Sequence, residues 1–127
     1  MSYYYARTVD LPFDQAIDRV TEALKAEGFG VLSDIDVQAT LKKKLDLDMP
    51  AYRILGACNP HFASQALEKE PYIGVMLPCN VVVREVNGQV EVVAVDPVAS
   101  MVAVENPDLA AIAGEVKKRL QRVIDSL

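Results

Sequence analysis

Cysteine, histidine and long apolar runs are all scarce in this chain of 127 residues, which holds two cysteines, Cys58 and Cys79, and a single histidine, His61. Two cysteines are too few for a disulfide framework, and a domain of this length needs none, because it can bury roughly two thirds of the surface its unfolded chain exposes. One histidine leaves any serine–histidine–carboxylate triad dependent on His61, and there is no Gly-rich phosphate loop or paired-histidine metalloprotease helix. Ordinary hydrolase and kinase chemistry is disfavoured. No apolar stretch approaches the roughly 20 residues that span a bilayer, and the start, Met1-Ser2-Tyr3-Tyr4-Tyr5-Ala6-Arg7, lacks the basic and apolar regions of a signal peptide. A cytoplasmic location with free thiols is the expectation. The net charge of -5 lacks the excess of cations that a nucleic-acid backbone or an anionic membrane attracts, so neither is expected as a partner. Linkers, low-complexity tracts and repeats are missing too, and residues 1–127 read as a single domain.

What is present is an alternation of strand and helix signals. Tyr3 to Val9 reads as a strand, closed by Asp10-Leu11-Pro12. Phe13, Ala16, Ile17, Val20 and Leu24 recur at helical spacing until Gly28, which predicts a helix over 12–27. Phe29 to Ile35 reads as a strand and Val37 to Leu45 as a short Lys-rich helix. Tyr52 to Ala57 is a third strand, after which Asn59-Pro60 supplies a cap and a first-turn proline for a helix over 61–68. Tyr72 to Leu77 reads as a fourth strand, and Val81–Val86 with Val90–Val95 as a hairpin around Asn87-Gly88. A short strand fits Ser100 to Val104. Asn106-Pro107 repeats the helix-start signal, and Leu109, Ile112, Ala113, Val116, Leu120, Val123 and Leu127 trace one apolar face to the end.

These elements predict an α+β two-layer sandwich, with long helices on one face of a mixed β-sheet. The strand, helix, strand order over 52–79 favours a right-handed crossover between parallel strands. Tyr3-Tyr4-Tyr5 and Val90–Val95 carry little charge, so the second sheet face should be apolar and covered by another subunit; a homodimer is the simplest expectation.

Cys58 and Cys79 each end an apolar run in this reading, and both should emerge at one sheet edge, about 5 to 10 Å apart. Cys58 precedes a helix N-terminus, which favours a thiolate. His61 completes Cys-x-x-His, and with Cys79 it makes a three-ligand constellation for a soft metal ion: zinc, although a fourth ligand is missing, or copper with a thioether from Met76 or Met101. The plain alternatives are two buried core cysteines, an exposed His61, Asn59 as a helix cap and Asn80 as a turn residue. Asp34-Ile35-Asp36 and Asp46-Leu47-Asp48 suit solvated turns and a cap better than a cation site, and Arg7 and Arg53 on strands are candidates to clamp a small anion.

Three segments, Gly56-Ala57-Cys58-Asn59-Pro60, Leu77-Pro78-Cys79-Asn80-Val81 and Gly28-Phe29-Gly30-Val31-Leu32-Ser33-Asp34-Ile35-Asp36-Val37, resemble the signatures of the small bacterial and archaeal family called domain of unknown function 302. The resemblance implies a sandwich similar to one repeat of the TATA-box-binding protein, often dimeric, and it brings no activity with it. DNA binding does not follow, since function lies in a site and not in a fold. Two function classes remain. One is a small binding or accessory protein that takes a small-molecule ligand in a cleft formed by Cys58, Asn59, His61, Cys79 and Asn80. The other is thiol redox or soft-metal chemistry at Cys58 and Cys79.

Overall fold

Alternating valines and alanines decide the layout. In a computed structural model that describes residues 2–127, five strands form one sheet: β1 (Tyr4–Val9), β2 (Gly30–Asp36), β3 (Tyr52–Cys58), β4 (Cys79–Val86) and β5 (Gln89–Val95). The spatial order is β1-β5-β4-β3-β2, and every neighbouring pair is antiparallel. Val81 and Val83 of β4 and Val90, Val92 and Ala94 of β5 are buried at every second position, the pattern of a strand with one covered face. The covering helices are α1 (Phe13–Ala26), which buries Ala16, Val20 and Leu24, and α5 (Ala110–Asp125), which buries Val116, Leu120, Val123 and Ile124 among others. These residues form one core cluster. By alternation the opposite face carries Tyr4, Tyr52, Ile54, Val82 and Val93, all half-buried or exposed.

The expected α+β layers are present, whereas the expected mixed sheet is corrected to a purely antiparallel one. The cause lies in residues 71–78. Pro71–Met76 forms a tight helical turn and not a strand, with Ile73 buried and Tyr72 and Val75 on its outside. Proline at 71 removes a ladder donor at the start of the segment. The chain leaves α3 (Pro60–Lys69), rounds this turn and enters β4 at the sheet end that β3 has just left, so β4 runs against β3. Cys79 accordingly begins a strand where the sequence suggested that it followed one. Ser100–Val104 is likewise no strand: Pro97–Ser100 forms α4, capped by the Asp96 side chain, and turns follow.

Elsewhere the local signals agree with the structure. Asn87 and Gly88 both have positive φ, 52° and 75°, as the two-residue hairpin requires. Val37–Leu45 forms α2, with Asp36 capping its first turn by accepting from the Ala39 amide at 2.9 Å. None of its residues is buried. The carboxylates near it are spoken for: Asp34 pairs with Arg53, which holds the Asp34 carboxyl below its usual range, and Lys42 bridges Asp46 and Asp48 at 2.9 Å each. Arg7 donates to the Asp125 carbonyl at 2.6 Å, so Arg7 and Arg53, the candidates for an anion clamp, are both engaged within the chain.

Gly56 of β3 lies tight against Ser33 of β2 and Pro78, just before β4. A Cβ there would lie 2.2 Å from Ser33 Oγ and 2.8 Å from Pro78 Cγ. Gly56→Ala should therefore cost about 1–3 kcal/mol as overpacking, read as a lower urea midpoint, and Ser33→Gly in the same chain should return part of it. An unchanged midpoint would show that this contact yields freely.

Candidate functional site

The ends of β3 and β4 meet α3 and α5 around a narrow apolar cavity of about 40 Å³, partly open to solvent. Small side chains create the space. Ala57, Ala63, Ala66 and Ala113 line it where larger residues would fill it, and Phe29, Phe62, Met101 and Val116 supply bulk around them. The cavity lies at a seam, because Ala66, Leu77, Met101 and Ile112 also belong to a smaller cluster built on Ile73 and Leu109, set apart from the main core.

Both cysteines border this cavity, as free thiols. Their closeness comes from antiparallel register: Cys79 pairs with Ala57, which places Cys58 one residue away on an adjacent strand about 5 Å across. The two side chains do not form an opposed pair. Cys79 shares the helix-covered face with Val81 and Val83, while Cys58 follows inward-facing Ala57 and leans the other way. Cys79 is buried, and burial, followed by the nearby Cys58 charge, pushes its pKa up to about 11. It is a neutral thiol at pH 7. Cys58 is half-buried and immediately precedes the cap of α3.

Asn59 is 8 % exposed, and both ends of its amide have partners. Oδ1 accepts from the Phe62 amide at 3.4 Å, and Nδ2 donates to the Glu27 carbonyl at 3.5 Å. Arg119 donates to the same carbonyl at 3.2 Å and lies 5.0 Å from the Phe62 ring centroid. Asn59 thus ties the start of α3 to the end of α1 and borders the cavity from that position.

His61 goes elsewhere. It is exposed, contacts Gln65 Nε2 at 3.2 Å and meets Phe62 edge-on, and it is not among the cavity residues. Among the described residues no three His, Cys, Asp or Glu side chains gather in a way that would hold a metal ion. Asn80 does not line the cavity: it pairs with Gly56 and borders a neighbouring surface depression together with Cys79, Met76, Pro78 and Met101. Of the five expected site residues, the cavity gathers Cys58, Asn59 and Cys79. The sequence reading does not single out Ala63 and Ala66 of α3 and Ala113 of α5 as lining residues, although the i, i+3 spacing of 63 and 66 is visible in the sequence.

Comparison with known proteins gives a family. Residues 5–127 match the domain of unknown function DUF302. The crystal structure of an uncharacterized conserved protein DUF302 from Bacillus stearothermophilus is similar over 98% of both chains, with a TM-score of 0.93 and 33% sequence identity. No curated protein matches. The chain belongs to the DUF302 family.

The raised Cys79 pKa has a thermodynamic signature. The unfolded thiol ionises near 9.0 and the folded one near 11, so the folded form keeps its proton longer. Its contribution is complete below pH 9 and is lost as pH rises from 9 to 11, by about 2–3 kcal/mol. Unfolding measured against pH for wild type and Cys79→Ala should show that the wild-type stability falls more steeply over this window. Equal slopes would mean that the thiol is not desolvated.

Proposed function

We propose that this is a small cytoplasmic binding protein that takes a compact apolar group into the cavity beside Cys58 and Cys79 and works as a homodimer. The observation that carries this reading is the cavity lining: apart from the tied amide of Asn59 and two thiols, it is built from apolar side chains. Such a site offers a ligand burial at roughly 25 cal/mol per Å² and few hydrogen bonds, which suits an alkyl or small aromatic group. Phosphates and sugars would leave their polar atoms unpaired there.

Dimerisation is supported by the open sheet face. Tyr3, Tyr4, Tyr52, Val82 and Val93 surround a shallow groove whose charged members, Arg84 and Glu91, already pair at 2.8 Å. The groove is therefore nearly neutral and suited to a second copy of itself. No described helix is long and apolar enough to cross a membrane. Thiol redox or soft-metal binding is supported less well, because Cys79 holds its proton and, among the described residues, no third His, Cys, Asp or Glu gathers with the cysteines; the Met101 thioether is the further soft donor on the cavity lining.

Native mass spectrometry of freshly purified protein reports a copurified ligand, a bound zinc or copper ion and the oligomeric state together. Titration with 1-hexanol should move the amide NMR signals of Ala57, Ala63 and Ala113, and Ala63→Phe should weaken that binding at least tenfold while leaving the fold intact. Signals that move equally in both proteins would place the alcohol elsewhere. Val82→Asp, on the open face, should turn a micromolar dimer into a monomer in sedimentation velocity; an unchanged sedimentation coefficient would locate the contact on another surface.

A further inference from the structure

Helix α2 has nine residues and buries none of them. A helix that short is marginal in water and ordinarily draws its stability from packing an apolar face. Its cap at Asp36 supplies one local support, yet Leu45 is 69 % exposed and Leu47, just beyond the helix, 47 %. Lys42, Lys43 and Lys44 stand beside these leucines, and among the described residues Lys43 and Lys44 form no ion pair. Val37 and Leu41 are half-buried and Lys42 is taken up by Asp46 and Asp48, so what the segment leaves without a partner is Leu45, Leu47 and the two cations Lys43 and Lys44.

A surface of the opposite kind lies at the other end of the sheet. Around the cavity, the turn Pro71–Met76 and the segment after α4 expose Tyr72 at 82 %, Val75 at 84 % and Val102 at 68 %. These segments are held together by the small cluster of Ile73, Leu77, Met101 and Leu109. Glu68, Glu70, Glu105 and Asp108 flank them, and Lys69 is the one cation in that stretch. Asn106 joins the acidic pieces by donating to the Lys69 carbonyl at 3.0 Å and to Glu70 at 3.3 Å. An exposed apolar patch with a border of one sign is the usual form of a docking surface.

We propose that α2 of a second copy docks on this acidic-bordered apolar rim and completes the mouth of the cavity, each copy doing so for the other. The chain's own α2 cannot reach, because it leaves β2 at Asp36, opposite Arg53, while the rim lies at the Cys58 end of β3. The length of the strand, roughly 20 Å, separates the two. Two sheets placed open face to open face with strand directions opposed bring each α2 end over the other copy's cavity end, so the arrangement rests on the proposed dimer and selects one of its orientations. The partner supplies what the rim lacks, with Lys43 and Lys44 against Glu68 and Glu105 and Leu45 and Leu47 against Tyr72, Val75 and Val102.

The test uses the full chain and a zero-length carbodiimide crosslinker. Peptide mapping of the covalent dimer should join Lys43 or Lys44 to Glu68, Glu105 or Asp108. Lys43→Glu with Lys44→Glu should raise the dimer dissociation constant at least tenfold in sedimentation, and adding Glu68→Lys and Glu105→Lys to the same chain should restore most of the loss. A dimer that yields none of these crosslinks and is indifferent to both reversals overturns the docking while leaving the open-face contact standing. A chain that stays monomeric at all concentrations overturns both. The 1-hexanol titration of the wild type, run in parallel, reports on the cavity separately, because its lining belongs to one chain.

Discussion

The burial of one face of β4 and β5 beneath α1 and α5 is the interaction on which the rest depends. Val81, Val83, Val92 and Ala94 meet Val20, Leu24, Leu120, Val123 and Ile124, and almost none of this surface reaches solvent. Each larger aliphatic side chain contributes about 1.5–3 kcal/mol on full burial. Because β4 and β5 are central in the order β1-β5-β4-β3-β2, fixing them fixes the register of their neighbours. A slip of one residue would turn Val81, Val83, Val92 and Ala94 out of the core.

Two surfaces follow from covering only one face. The first is the open side of the sheet, where Val82 and Val93 alternate with the buried set and have no helix above them to explain their chemistry. The second is the end of the sheet near Cys58, where α3 and α5 close over β3 and β4 with alanines at the contact. Large side chains at 57, 63, 66 and 113 would have fused the main core with the cluster around Ile73. The small ones leave a cavity between them.

The same packing sets the chemistry of the thiols. Cys79 lies under the helices, so its ionised form would lose hydration without gaining a cation, and the proton is retained. Cys58, one residue further on the adjacent strand, remains half-buried. Proximity alone therefore does not make a metal site or a redox pair. Orientation across the pleat and the dielectric on each side decide what two nearby sulfurs do.

The sequence by itself determined the local elements whose cause is local. The Asn87-Gly88 turn, the Asn59-Pro60 and Asp36 starts, and the 3.6-residue stripe of α5 depend on neighbouring residues alone, and the family signatures at 28–37, 56–60 and 77–81 were legible for the same reason. The direction of β4 was not. Tyr72 to Leu77 has the apolar composition of a strand, and only the packing of Ile73 against Ala66 and Leu109 turns it into a tight helical turn and reverses the chain. The cysteines came together as expected, although through antiparallel register and not through a parallel crossover. His61 and Asn80 fall outside the cavity because helix phase and strand pleat direct side chains by angle, which sequence distance does not record. The cavity was decided by tertiary structure alone, since an empty space is a property of what several distant segments fail to fill.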